Sequence, residues 1–244
     1  MYKRQIYSDV NGYPYDVDGD MLVVYDYNKS KEITDRLNAQ GYLAVLSLAT
    51  PEQFANEVAH MYRNGYKNVR FVGGNETPFI VSREELYPYD KFMKEDYVTN
   101  PALSQAMIAL FQETRKTSKV EEGAPEEAFT RMLKKREEEF VTALKNAEFM
   151  VPCVKTENGE EIEISFQYLD VTEQIGSDNG EKVIAIPVFT DGFEMNKCYP
   201  GKTEDMLCTF DELVATVVEL GASGIIINAL GISHYMSVKT LEAL

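Results

Sequence analysis

Thr209-Phe210-Asp211-Glu212-Leu213-Val214-Ala215-Thr216-Val217-Val218-Glu219-Leu220 decides how this chain is read, because its pattern also begins at Thr50-Pro51-Glu52-Gln53. In both segments a threonine can accept a hydrogen bond from a first-turn amide. A Gln or Glu three residues on can reach back to the threonine's own N–H. Each is the start of a helix. Behind these caps Phe54, Val58 and Met61 match Leu213, Val217 and Leu220, every pair 159 positions apart, at the spacing of a helix that buries one face.

The correspondence extends outward. Short apolar strands are predicted at residues 69–72 and 224–227. After a small loop come Phe79-Ile80-Val81-Ser82 and His234-Tyr235-Met236-Ser237, 155 positions apart, and Leu86 and Leu241 keep that interval. Upstream, Val23-Val24-Tyr25-Asp26 parallels Val188-Phe189-Thr190-Asp191 at an interval of 165, each a strand ending in a carboxylate. Cap chemistry, apolar register and order recur together, which is the mark of a duplicated unit. The predicted fold is α+β: two tandem, similar modules, each a small mixed or antiparallel sheet with packed helices, joined by a helical connector.

The flanks fill in each module. Asn158-Gly159 and Asn179-Gly180 punctuate runs at 149–155, 161–169 and 182–189, which read as a meander of strands. Ile162, Ile164, Phe166 and Tyr168 alternate with Glu161, Glu163, Ser165 and Gln167, predicting a half-buried antiparallel strand. In the first half Asn11-Gly12 separates weaker runs before the strand at 21–25. One difference is expected: residues 28–40 read as a helix closed by Gly41, whereas 192–205, with Pro200-Gly201, read as a loop. Asn100-Pro101 supplies an N-cap and first-turn proline to a helix carrying Leu103, Met107, Leu110 and Phe111. Residues 119–125 read as a linker, and a longer helix after Pro125 carries Phe129, Met132, Leu133, Phe140, Leu144 and Ala147 on one face. The modules are accordingly placed at 1–98 and 125–244, with connector and linker at 99–124.

Composition sets outer limits. The 244 residues suit one or two domains at about 150 residues each. The formal net charge of −16 repels phosphate backbones, and Lys134-Lys135-Arg136 is answered at once by Glu137-Glu138-Glu139, so nucleic acid is not expected as a partner. No apolar run approaches the roughly 18 residues of a bilayer span, and the start of the sequence has no apolar leader, so a cytoplasmic protein without membrane association is expected. Cys153, Cys198 and Cys208 are odd in number and form no C-x-x-C pair, which agrees.

The second half carries a family likeness. A helix leading into Val151-Pro152, the run Ile186-Pro187-Val188-Phe189-Thr190-Asp191, the capped helix and Gly224-Ile225-Ile226-Ile227-Asn228-Ala229-Leu230-Gly231 together resemble the amino-terminal domain of the SseB family. Ala229 stands where the family usually has proline. The likeness covers residues 144–244, and the first half looks like a diverged copy of it. The resemblance implies a mixed α+β domain and brings no catalytic residues to carry over.

Chemistry is sparse in the sequence. His60 and His234 occupy non-corresponding places and read as structural histidines; a Cys–His pair of Cys198 or Cys208 with His234 is the minor alternative. Asp16-Val17-Asp18-Gly19-Asp20 fails the calcium-loop pattern, since the sixth and twelfth positions are Met21 and Tyr27 rather than Gly and Glu. No cofactor, metal or catalytic residue is predicted. Tyr25 and Asp26 in one module, and Thr190, Asp191 and Asn228 in the other, are candidates for ligand or partner binding, because they sit where strands end. Capping of local backbone explains the same residues. Tyr2, Tyr7, Tyr13, Tyr15, Tyr25 and Tyr27 crowd the first module, a composition suited to protein contact. The expected function is a non-catalytic interaction or regulatory scaffold with an unidentified protein partner or self-association. A small-molecule binder or hydrolase using Thr190, Asp191 and Asn228 is the alternative.

Overall fold

A computed structural model describes residues 3–8, 16–17, 19–39, 44–74, 77–89, 97–117, 126–158, 161–176, 180–201 and 203–244. The chain forms two compact units, Met1–Glu95 with Pro101–Phe140, and Asp96–Asn100 with Val141–Leu244. Both mix helices with small sheets, as the α+β reading expects. The units meet inside a helix at Phe140 and Val141, whereas the sequence reading starts the second module at 125.

In the first unit β1 (Lys3–Ser8), β2 (Asp16–Val17), β3 (Asp20–Val24), α1 (Tyr27–Ala39), β4 (Ala44–Ala49), α2 (Pro51–Asn64), β5 (Asn68–Val72), β6 (Phe79–Ser82) and α3 (Arg83–Leu86) follow in order. They are followed by α4 (Pro101–Thr117) and α5 (Glu126–Lys145), which carries the chain into the second unit. The strands lie in the order β4-β1-β3-β5-β6, with β2 on β3, and β3 and β5 run parallel while the other pairs are antiparallel.

Strand β3 is buried along its length because helices cover both faces. Leu22 and Val24 pack with Ile33 and Leu37 of α1. The pleat turns Val23 the other way, beside Phe71 in register, and Phe71 meets Phe54 of α2 with ring centroids 6.1 Å apart. Each such apolar side chain contributes about 1.5–3 kcal/mol when fully buried. The capping box of α2 forms as predicted: Gln53 N donates to Thr50 Oγ1 at 3.2 Å, and Thr50 N to Gln53 Oε1 at 2.9 Å. Gly65 closes α2 at φ +82°, and a side chain there would also collide with the Pro101 carbonyl at the start of α4.

The second unit contains β7 (Glu148–Asn158), β8 (Glu161–Phe166), β9 (Leu169–Asp170), α6 (Thr172–Ile175), β10 (Ile184–Val188), α7 (Gly192–Cys198), β11 (Asp205–Thr209), α8 (Phe210–Glu219), β12 (Gly224–Ile227), β13 (His234–Ser237) and α9 (Val238–Ala243). One sheet runs β13-β12-β10-β9 and another β11-β7-β8. Among the described residues a single antiparallel bridge joins them: Met150 and Phe189 exchange two hydrogen bonds of 3.0 Å. The second predicted capping box forms too, with Glu212 N donating to Thr209 Oγ1 at 3.4 Å and Thr209 N to Glu212 Oε2 at 2.9 Å. Leu213 and Val217 of α8 are fully buried, as are Phe149, Val151, Ile225 and Ile227 of the strands.

Several sequence expectations need correction. Residues 192–198 are helix, not loop, because Asp191 caps the turn; Pro200-Gly201 only ends it. Leu220 is 41% exposed, since α8 stops at Glu219 after ten residues where α2 runs for fourteen. The runs at 149–155, 161–169 and 182–189 do not form a simple meander, because β10 pairs with β9 and reaches β7 only through the bridge. Ile164 and Tyr168 are exposed, so the alternation of β8 marks a face that its own unit leaves open. Met132 is likewise exposed, whereas Phe140, Leu144 and Ala147 are buried. Gly41, Asn11-Gly12 and the linker at 119–125 lie outside the described residues.

Candidate functional site

Strand β10 ends at Val188, and after three residues the chain turns into α7; β12 ends beside it at Ile227. The strands are parallel, so Thr190, Asp191 and Asn228 leave the same end of the sheet together. Asn228 has φ +50°, the left-handed region that Asn tolerates better than most residues. That turn lets its N–H donate to the Val188 carbonyl at 2.9 Å while its carbonyl accepts from Gly231 N at 2.7 Å.

The side chains of the cluster serve one another. Thr190 N donates to Asn228 Oδ1 at 3.0 Å, Asn228 Nδ2 donates to Thr190 Oγ1 at 2.9 Å, and Thr190 Oγ1 donates to Asp191 Oδ2 at 3.0 Å. Asp191 Oδ1 accepts from Phe193 N and Glu194 N, both at 3.0 Å, which is the cap of α7. Thr190 and Asp191 have no solvent-exposed surface. Buried polar groups must be bonded, and these bonds meet that demand. Beside the cap, the buried Glu194 carboxylate takes Lys197 Nζ at 2.8 Å on each oxygen.

Sequence reasoning missed one member. Asn100 stands directly before Pro101, the first residue of α4, where the sequence reading puts the N-cap; its amide also donates to the Glu148 carbonyl at 2.7 Å and the Thr190 carbonyl at 2.8 Å, and accepts from Glu148 N at 3.1 Å. It ties the start of β7 to the end of β10, where ladder pairing is thin. No local pattern distinguishes this role from capping, since its partners lie 48 and 90 residues away.

Tyr25 and Asp26 are in the first unit, apart from the Thr190 cluster in the chain's division, and are half-buried. Tyr25 N donates to the Val72 carbonyl at 3.0 Å, and its ring covers Gly73, where any side chain would collide with it. Asp26 caps α1 by accepting from Lys29 N at 2.8 Å. An unpredicted ion pair between a buried Asp20 and a half-buried Arg70 lies at the opposite end of β3: Asp20 accepts from Arg70 at 2.9 Å and from Asn68 at 3.0 Å.

The thiols lack the environment of nucleophiles. Burial raises Cys208 to about 11 and also raises Cys153 and Cys198, opposite to the shift that activates a cysteine. Burial lowers His234. Among the described residues no group of three His, Cys, Asp or Glu side chains is arranged to hold a metal ion. Among them also, no helix is long and apolar enough to cross a membrane.

The chain is thus a two-unit α+β protein whose strand-end polar residues are knitted into the sheet. Residues 126–237, which contain the Thr190 cluster, match the family model of the SseB protein N-terminal domain. No curated protein and no solved structure matches the chain.

Proposed function

We propose that the chain is a non-catalytic protein-interaction or regulatory scaffold of the cytosol, built from two descendants of one α+β module. Register supports the duplication. Arg4 pairs with Val24 on one side and Leu48 on the other, and Met150 pairs with Phe189 and Leu207. Val24 and Phe189 are separated by 165 positions, as are the helix caps Asp26 and Asp191; Leu48 and Leu207 are separated by 159, as are Thr50 and Thr209. The parallel pair and following hairpin, β3-β5-β6, recur as β10-β12-β13, ending in serine caps at Ser82 and Ser237.

The interaction reading rests on where apolar and polar groups stand. The polar cluster at Thr190 is bonded internally, whereas Phe79 and Ile80 on the edge strand β6 are 49% and 52% exposed. Large apolar side chains on an open edge favour association. The alternative, a small-molecule binder or hydrolase at Thr190, Asp191 and Asn228, has to bring a substrate to atoms closed off from solvent. It draws support only from their convergence.

Affinity capture from native extract tests the reading, comparing the natural chain with Phe79→Ser/Ile80→Ser and with variants on other open strands, all checked for unchanged unfolding temperature. A partner retained by the natural chain and released by a folded surface variant supports a scaffold. If the natural chain retains no partner and does not self-associate in sedimentation, the reading fails.

A further inference from the structure

Resting on the interaction reading, we infer that the outer edge of β8 pairs antiparallel with the same edge of a second copy of this chain, on a two-fold axis through Ile164. The inference begins with the length of β7. Its pairing with β11 ends at Pro152, and from Cys153 to Asn158 its strand partner is β8. That stretch is a two-stranded ribbon, a form that is marginal in water unless another strand or surface covers it. Exposure rises along one face of it: Cys153 is 2% exposed, Phe166 opposite is half-buried, and Ile164, two residues on, is 39% exposed. The core of the unit runs out into solvent there.

Hydrogen-bond phase shows what the edge offers. Gln167 N donates to the Pro152 carbonyl at 3.2 Å, and Ser165 and Glu163 continue that phase opposite Val154 and Thr156. In an antiparallel ladder the intervening residues turn their N–H and C=O away from the partner. For β8 these are Ile162, Ile164 and Phe166, and among the described residues β8 pairs with β7 alone. The edges of β6 and β11 offer less. Ser82 N of β6 already donates to Glu85 at 3.0 Å; in β11, Thr209 N donates to Glu212 at 2.9 Å and the Asp205 carbonyl takes Lys155 Nζ at 3.1 Å.

Symmetry selects the occupant. A two-fold axis can pass through Ile164 but not through Glu163 or Ser165, whose backbone groups are spent on β7. With the axis at Ile164, outward residues bond outward residues: Ile164 meets Ile164, and Ile162 meets Phe166 on either side, each pair exchanging two main-chain bonds. On the face that runs out of the core, Ile164 packs on its own copy, flanked by a Phe166 from each chain. On the other face Ser165 stands opposite Glu163, so like charges are not opposed there, and Glu163 needs no contact beyond those it already makes. The occupant has to carry an apolar residue opposite Ile164 and a residue without negative charge opposite Glu163, in this one phase. The reversed strand of a second copy supplies both, in an isologous contact of the kind that closes most homodimers. The sheet β11-β7-β8 then continues across the axis into its copy.

Sedimentation and cross-linking of the full-length protein test it. The contact is small, so a reversible dimer is expected, formed over about 10–500 µM protein. With a net charge of −16 the copies repel, and association should strengthen about tenfold between roughly 20 and 500 mM salt as that repulsion is screened. Ile164→Glu sets two carboxylates against each other on the axis and should weaken association about tenfold or more at unchanged unfolding temperature. Ile164→Cys should form a disulfide with its own copy under mild oxidation, because bonded pairs in an antiparallel ladder hold their Cα atoms about 5.5 Å apart, within disulfide reach. Ser165→Cys, which faces Glu163 instead, should not; mass mapping separates these links from any made by the native cysteines. A monomer at every concentration and salt, association indifferent to folded Ile164→Glu, or equal cross-linking of the two cysteine variants overturns the inference. A chain that stays monomeric yet captures a partner released by the Phe79 and Ile80 variants overturns this edge and leaves the scaffold reading standing, whereas neither association nor capture sinks both.

Discussion

Asn100 holds the Thr190 carbonyl at 2.8 Å from 90 residues away, and with the same amide nitrogen holds the Glu148 carbonyl at 2.7 Å. Between the first strand of the second unit and the end of β10, regular pairing among the described residues amounts to the one bridge at Met150 and Phe189. A side-chain amide that bonds both the N–H and the C=O of Glu148 does there what a neighbouring strand would do. Asn100→Ala should therefore destabilise the second unit by roughly 1–3 kcal/mol, the range for stranding buried carbonyls and an amide. Asn100→Asp should be worse, since it turns a carboxylate toward two carbonyl oxygens. Denaturant unfolding, with the midpoint compared at unchanged slope, measures both.

The two capping aspartates should respond differently. Asp26→Ala removes the cap bond from Lys29 N at a half-buried helix start, with an expected loss of about 1 kcal/mol. Asp191→Ala removes two cap bonds and also the acceptor of the buried Thr190 hydroxyl, so its loss should exceed that of Asp26→Ala. Equal unfolding midpoints for the two variants would contradict the difference in burial.

Asn228 combines a backbone and a side-chain requirement. Asn228→Gly keeps the φ of +50° accessible but loses the bonds to Thr190, while Asn228→Ala loses both. Alanine should be the more destabilising by about 1 kcal/mol, read from paired thermal or denaturant melts. The reverse order would mean that the left-handed turn at this position costs alanine little.

Asp170 predicts an acid response. The Thr172 hydroxyl and N–H, with Lys182, lower its carboxyl from 3.8 to about 2. A folded-state value below the unfolded one contributes stability above pH 3.8, lost as pH falls toward 2. Thr172→Val should raise the Asp170 value toward that of an ordinary carboxylate and flatten the acid limb of the stability curve. A carboxyl-carbon NMR titration reads the first effect directly.

Alkylation under native conditions should order the cysteines. Cys153 and Cys208 are buried and Cys198 only half so, and burial raises all three. Slow labelling of Cys198 should precede any labelling of the other two, which should react on unfolding; mass mapping of labelled peptides reads the order. Early labelling of Cys208 would sink it.

Legibility in the sequence followed range. The boxes at Thr50 and Thr209 and the serine caps were readable because donor and acceptor lie three residues apart. Helix α7 carries a comparable signal in Asp191 and Glu194, but the turn residues Pro200-Gly201 close behind it make the same stretch read as loop. Of the candidate site, the residue types and their strand-end places were visible. That Asn228 bonds Thr190, and that Asn100 belongs with them, was not.

By itself the sequence determined the helix starts, the apolar strands and the α+β class, because these depend on neighbours within a turn or a strand. Tertiary structure alone decided that Asn100 would tie β7 to β10, that Thr190 would be sealed from solvent, and that Ile164 would stand open. Those outcomes depend on which distant backbone groups need partners and which faces receive a covering helix. Such demands arise only after the strands have assembled.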